Sequence, residues 1–169
     1  MLKATIIIGP GVEDSEFIYP FYRLQEAGFQ VDVVTSTDQT VNGKHGVPFV
    51  PTKKIKELDP KACDLLVIPG GHEGPDRVRQ VKEVLDFTAR INALKKPIAS
   101  VCHGPWVLIS AGIMRGRKAT CYKGMKDDLV NAGALYLDEP VVVDANIVTA
   151  QHFRDNAPWM KATLNLFKL

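Results

Sequence analysis

The residues best placed to do chemistry lie in the run Ser100-Val101-Cys102-His103-Gly104. A central nucleophile flanked at two residues on either side by small residues is the pattern of a nucleophile elbow, with cysteine where an α/β hydrolase carries serine. Small flanks are needed because the turn strains its central residue and brings the neighbouring backbones close. A thiol at such a strand-to-helix junction feels the positive end of the helix dipole and unpaired N–H groups. Its pKa is therefore expected below the free value of about 8.5. Gly70-Gly71 would let a backbone N–H approach a substrate and form an oxyanion hole with the N–H of His103. Glu13, Asp14 and Glu16 crowd together after the first apolar run. Repulsion and burial should keep at least one of them protonated near neutral pH, able to donate to a thiolate or move a substrate proton.

Several other reactive-looking residues read as structure. Cys63 suits inert core filler, as Cys121 can. His45, His72 and His152 lack ligand spacing, so no metal is expected. Gly9-Pro10-Gly11 is followed by Asp14 where a dinucleotide fingerprint needs glycine, so no cofactor is expected either. Arg115, Arg117 and Lys118 read as a solvated basic turn. Glu13 and Glu16 also fit ordinary first-turn helix acids, and the side chain of His103, adjacent in sequence, need not face Cys102.

To position these residues, short apolar runs of strand length must alternate with longer amphipathic stretches, the mark of an α/β fold. Thr5–Ile8, Val31–Val34, Leu65–Ile68 and Ile98–Val101 read as parallel strands, the third buried on both faces. Helical spacing links Phe17, Tyr22, Leu24 and Ala27 up to Gly28, with Pro20 an awkward guest. Residues 40–50 form an antiparallel excursion. One helix is expected from Asp76 to Asn92, another from Gly104-Pro105 to Gly112, a short one over Lys126–Ala132, and a last one from about Asn156. A hairpin joins Val141–Val143 to Ile147–Thr149. Ligands of such a sheet bind beyond the C-terminal strand ends, where the acid cluster, Gly70-Gly71 and Cys102 all fall.

The 169 residues, 46% apolar, suit one domain spanning 1–169. A formal charge of +2 argues against a nucleic-acid partner. The start of the chain has neither a signal-peptide core nor a membrane span, and three cysteines without a Cys-x-x-Cys pair fit reduced thiols. The expected place is the cytoplasm, with no membrane partner.

Over essentially its whole length the chain resembles the ThiJ/PfpI superfamily, most closely the PfpI intracellular protease branch. The resemblance rests on Glu13-Asp14-x-Glu16-x-Ile18-Tyr19-Pro20, Gly43-Lys44-His45-Gly46, Pro69-Gly70-Gly71, Cys102-His103-Gly104-Pro105, Ile109-Ser110-Ala111-Gly112, Arg115-Gly116-Arg117, Lys126-Asp127-Asp128 and Asn131-Ala132-Gly133. It implies a flavodoxin-like three-layer α/β sandwich with a mostly parallel sheet, close to class I glutamine amidotransferase domains and assembling as a dimer or hexamer. It implies Cys102 as nucleophile, His103 as its partner, Glu16 as the carboxyl bonded to the thiol and Glu13 beside it. Gly71 and the His103 backbone would bind the oxyanion, and Tyr122 would line the pocket across from the cysteine. In protease-like hexamers a neighbouring subunit's carboxylate completes a Cys-His-acid set. The matching residue here is Asp76, one methylene shorter than the usual Glu and preceded by a one-residue insertion around His72 to Gly74. After Val148-Thr149 the family commonly has a Ser-Arg pair and a Pro, whereas this chain reads Ala150-Gln151-His152-Phe153-Arg154-Asp155.

The resemblance implies a cofactor-independent cysteine enzyme of small reactive aldehydes or early glycation adducts, converting methylglyoxal to lactate. Its substrates would be a small aldehyde, a glycated amine or a short peptide. The alternatives are an intracellular cysteine peptidase using Cys102, His103 and Asp76 across a subunit boundary, and a non-catalytic redox sensor or holdase acting through oxidation of Cys102. A glutaminase would need a His-x-Glu dyad after Cys102, and the chain has none.

Overall fold

A computed structural model describes residues 1–169. The chain runs β1 (Lys3–Ile8), α1 (Asp14–Glu26), β2 (Gln30–Thr35), β3 (Val41–Asn42), β4 (Pro48–Phe49), β5 (Leu65–Ile68), α2 (Glu73–Val78) and α3 (Lys82–Ala93). It continues through β6 (Ile98–Val101), α4 (Pro105–Ser110), β7 (Lys118–Ala119), α5 (Lys126–Asn131), β8 (Leu135–Tyr136), β9 (Val141–Asp144), β10 (Ile147–Ala150) and α6 (Asn156–Asn165). Six strands form one sheet in the order β2-β1-β5-β6-β10-β9. Its pairings are parallel except that of β10 with the edge strand β9. No helix is long and apolar enough to cross a membrane.

Strand side chains alternate between faces, so each continuous apolar run feeds two cores. Ile6, Ile8, Leu65, Val67, Ala99 and Val101 pack with Phe17 and Leu24 of α1 and Trp159 and Met160 of α6. Ile7, Leu66, Ile68 and Ile98 pack on the other face with Val84, Phe87 and Ile91 of α3 and Val107 and Leu108 of α4. The sheet is thus the middle layer of a three-layer, flavodoxin-like sandwich. Burial on both faces is why β5 reads as an unbroken apolar string and why the one polar residue of β6, Ser100, donates its hydroxyl hydrogen bond to the Ile68 carbonyl at 3.1 Å.

One expected element differs. The helix expected over Asp76–Asn92 is two helices, α2 and α3, separated at Arg79–Val81, where Val81 is extended (φ −93°, ψ 105°). Val84, Phe87 and Ile91 share one helical face, but Val78, six residues before Val84, would lie about 120° away from it at 3.6 residues per turn. Breaking the helix re-phases the chain and buries Val78 as well. The two-residue pair β7–β8 was not expected, being too short to impose a period. Arg117 is half-buried rather than solvated, its guanidinium donating to the side-chain oxygens of Asn92 and Asn146 at 3.2 and 3.4 Å.

The strand order turns back between β1 and β5, and there the β1–α1 and β5–α2 connections meet. The 42–47 loop closes over them. Gly11 N–H donates to the Asn42 carbonyl and Lys44 N–H to the Val12 carbonyl, both at 2.8 Å. The buried Asp14 carboxylate accepts from His45 N–H at 2.9 Å and Val47 N–H at 3.3 Å. The loop thereby carries Lys44 and His45 to Glu13. Asp14→Ala should lower the unfolding free energy by about 2 kcal/mol and speed amide exchange at His45 and Val47 while leaving β1 protected. Unchanged exchange at those two amides would remove this role for Asp14.

Candidate active site

Cys102 occupies the one-residue junction between β6 and the turn into α4, with φ +59°. That left-handed conformation is strained for a residue with a Cβ. The backbone on both sides enforces it. Cys102 N–H donates to the Ala150 carbonyl at 3.0 Å, Tyr122 N–H donates to the Cys102 carbonyl at 2.9 Å, and Gly104 N–H closes the turn on the Val101 carbonyl at 2.8 Å. The elbow expected from sequence is present, and its thiol stands at the C-terminal end of the sheet with only 7% of the residue exposed.

Glu16 comes from the first turn of α1 and is fully buried. Its Oε2 accepts from Gly70 N–H at 2.7 Å, while Oε1 has no hydrogen-bond partner, and the carboxyl lies within hydrogen-bonding reach of the Cys102 thiol. Burial, reinforced by the charge of Glu13, raises its pKa from 4.5 to about 8, against the lowering pull of the Gly70 and Cys102 hydrogen bonds. The expectation that one of the three acids stays protonated therefore falls on Glu16. Gly70 was expected to serve an oxyanion, but its N–H is committed to Glu16. A Cβ at position 70 would come within 2.5 Å of Glu16 Oε2 and 2.6 Å of the Cys102 Cβ, so glycine is what lets acid and thiol approach.

The thiol's own pKa runs opposite to the sequence expectation. Burial pushes it up, and an ionised Glu16 pushes it further, against hydrogen bonds to the sulfur from Gly71 N–H and His103 N–H. A six-residue α4 cannot offset desolvation. With the proton on Glu16, its O–H joins the two N–H donors around the sulfur and favours a thiolate. With Glu16 ionised, its charge opposes one. The two groups thus release their first proton as a unit.

The His103 ring does turn toward the cysteine, Nδ1 lying 3.2 Å from Sγ. Burial, then the nearby His72, lowers its pKa to about 4, so the imidazole is neutral at pH 7. It stacks on Tyr122 at 4.6 Å and tilts against Trp106 at 4.9 Å. Glu13, also buried, faces Lys44 Nζ and His45 Nε2, each at 3.5 Å. Glu13, Asp14 and His45 offer three atoms close enough to share a cation, but the Asp14 oxygens hold the loop and the Glu13 oxygens face Lys44 and His45. That donor set is already occupied by the fold.

A pocket of about 330 Å³ is lined by Glu13, Lys44, Gly71, Cys102, His103 and Tyr122, together with His72, His152 and Phe153. A larger, open groove of about 850 Å³ along α1 shares Glu13 with it but does not reach Cys102, so of the two only the smaller contains the thiol. Asp76 does not line the pocket of its own chain and accepts instead from the Gln80 side chain at 3.3 Å. Lys44, His72, His152 and Phe153 were given no individual role in the pocket from sequence. The Gly43-Lys44-His45-Gly46 run and the unusual 150–155 segment were the available signals, but neither has a period or ligand spacing that assigns a role.

Fold and site together define a cysteine-elbow protein of the flavodoxin-like α/β class. Within it the chain belongs to the DJ-1/PfpI family, whose model matches residues 2–166. It is 40% identical over 167 residues to the deglycase PfpI of Pyrococcus furiosus, covering 99% of this chain and 100% of that one. It is 38% identical over 158 residues to protein/nucleic acid deglycase 2 of Escherichia coli, covering 92% and 91%. Among solved structures, a two-domain Anabaena variabilis protein with DJ-1/ThiJ/PfpI-like and ferritin-like domains superposes with a TM-score of 0.96 at 37% identity. The match covers 99% of this chain and 48% of that one, so the chain spans about half its length.

The folded protein keeps Glu16 protonated up to about pH 8, whereas the unfolded chain releases that proton near 4.5. The stability this confers is complete below 4.5 and is lost as pH rises through about 8. Glu16→Gln should therefore match the wild type in Tm at pH 4.5 and exceed it at pH 9, and it should remove the inflection near pH 8 from the rate of Cys102 alkylation by iodoacetamide. Parallel Tm profiles and an unaltered inflection would rule out the shared proton.

Proposed function

We propose that the protein is a cofactor-independent cysteine enzyme of small reactive aldehydes and early glycation adducts, taking methylglyoxal to lactate. The observation that carries this reading is the buried Glu16 carboxyl against Cys102, holding its proton up to about pH 8. Such a group can both give and take a proton near neutral pH, which moving hydrogen between adjacent carbons requires. The deglycase names of the relatives support the same class of substrate.

The Cys102 sulfur adds as a thiolate to the aldehyde carbon while Glu16 gives its proton to the carbonyl oxygen, giving a hemithioacetal and leaving Glu16 ionised. As the sulfur gives up its charge, the N–H groups of Gly71 and His103 become free to bond the developing oxyanion. Ionised Glu16 removes the hydrogen on the former aldehyde carbon as a proton and returns it to the adjacent carbon, while the hemithioacetal hydroxyl proton passes to the ketone oxygen. The thioester so formed is cleaved by water, releasing lactate and the thiol. Methylglyoxal and one water are consumed, with no external oxidant or reductant.

A peptidase mechanism built on a thiolate–imidazolium pair fits less well, because His103 is neutral at pH 7 and too weak a base to hold the thiol proton. It would need Asp76 delivered from a second subunit. We take the working protein to be a dimer or hexamer in a reducing cytoplasm. Exposed Tyr19 and Tyr22 on α1 and three free cysteines support this, and a monomeric mass by light scattering would overturn the assembly.

The test is glutathione-free production of lactate from methylglyoxal, with product counted rather than aldehyde loss, since any thiol or amine scavenges the aldehyde. Wild type should form lactate catalytically, and Cys102→Ala should lose all of it with Tm little changed, because removing one small thiol leaves no large cavity. Absence of lactate above the variant's background would sink the reading and redirect attention to short peptides and Asp76.

A further inference from the structure

The pocket is not evenly lined. One side is a continuous run of rings that starts at the imidazole touching the cysteine sulfur. His103 stacks on Tyr122 at 4.6 Å with planes 27° apart, Tyr122 is followed by His152 at 6.2 Å and 29°, and His152 by Phe153 at 4.0 Å and 43°. The Glu13–Lys44 ion pair lines the same pocket, with Lys44 largely in water. A run of rings and one ion pair thus share the lining of about 330 Å³.

The outer part of this wall is built by the segment that departs from the family pattern. Phe153 begins a 3₁₀ turn, Phe153–Asp155, and leaves 41% of its surface in water at the pocket mouth. The turn is nevertheless fixed. Arg154 N–H donates to His152 Nδ1 at 3.4 Å, and the Arg154 guanidinium lies 6.0 Å from the Phe153 ring. Buried Asn156, just beyond, ties the segment to the start of α1 by donating to the Ser15 carbonyl at 3.0 Å. Burial, helped by Arg154, lowers the His152 pKa, so that imidazole presents a neutral face. A preformed apolar face beside a nucleophile gains from being covered by another flat group.

We propose that Phe153, backed by His152, is a specificity-determining residue that fits the Cys102 pocket to α-oxoaldehydes bearing a planar aryl group in preference to the methyl-bearing one. The proposal rests on the aldehyde reading above. For an arylglyoxal the Cys102 thiolate adds to the aldehyde carbon, forming the C–S bond while Glu16 gives its proton to the oxygen. The aldehyde hydrogen then moves as a proton to the ketone carbon through the ionised Glu16, while the new hydroxyl's proton passes to the ketone oxygen. Water cleaves the thioester to the aryl hydroxy acid and regenerates the thiol. The aldehyde carbon is oxidised and the ketone carbon reduced within one molecule. The aryl ring, attached to the ketone carbon, lies against the His152–Phe153 end of the wall.

The experiment compares kcat/KM for phenylglyoxal and methylglyoxal in wild type, Phe153→Ala and Phe153→Tyr. The phenyl-to-methyl ratio should fall about tenfold in Phe153→Ala, the loss of one good ring contact, and stay within about threefold of wild type in Phe153→Tyr. An equal ratio in wild type and Phe153→Ala would overturn the proposal. If wild type turns over neither aldehyde, the enzyme reading fails, and the wall is judged by alkylation of Cys102 with phenacyl bromide against bromoacetone. In each the sulfur displaces bromide and the thiol proton goes to solvent, so the two reagents differ in the aryl group alone. Intact-mass rates, corrected with Cys102→Ala, should show the same tenfold fall in ratio, and an unchanged ratio would again overturn it.

Discussion

The site depends on one contact: a carboxyl with no access to water held against a thiol with almost none. Each group is costly to ionise there, so the pair holds its protons longer than either group would in solution, and one can carry the other's charge. Everything nearby serves that approach. Gly70 leaves no Cβ between them and gives its N–H to the acid, Gly71 and the elbow backbone give theirs to the sulfur, and the neutral His103 ring closes the remaining side. The parallel sheet makes the approach possible because β1, β5 and β6 end at the same edge. Three segments far apart in sequence deliver an acid, an amide and a thiol to one place.

Much of this arrangement can be read from the chain, for physical reasons. Strands buried on both faces are largely apolar, so Leu65–Ile68 and, with Ser100 its one polar residue, Ile98–Val101 announce themselves. An elbow tolerates only small flanks, so Ser100 and Gly104 mark Cys102. The crowding of Glu13, Asp14 and Glu16 foretells a perturbed acid. What is hidden depends on three-dimensional packing. The break between α2 and α3 follows from which residues must meet the core, Val78 included, and no breaker residue signals it. The direction of the His103 ring is set by Tyr122 and Trp106, distant partners in a stack. The thiol's response to its surroundings was misjudged because the helix end is visible in the sequence while the depth of burial is not. The pocket wall from His152 to Phe153 likewise emerges only when the end of β10 is folded back over the elbow.

Asp14 and Glu16 show how closely neighbouring acids can divide their labour. Both sit in the first turn of α1 and both are buried. Asp14 uses both oxygens to accept backbone N–H groups of the 42–47 loop and ties that loop down. Glu16 accepts from one N–H, has its second oxygen unpartnered, and has its pKa raised by burial. The number of fixed donors each carboxylate receives separates the two.

The backbone at Cys102 also bears on how such a chain can change over time. Its positive φ is the conformation that glycine adopts without cost and that cysteine adopts at a penalty of roughly 1 kcal/mol, while the hydrogen bonds that impose it come from peptide groups and would survive replacement by any residue except proline. On backbone conformation alone glycine would suit this position better, and the chain so produced would carry no thiol here. The elbow therefore holds its sulfur against the preference of its own backbone.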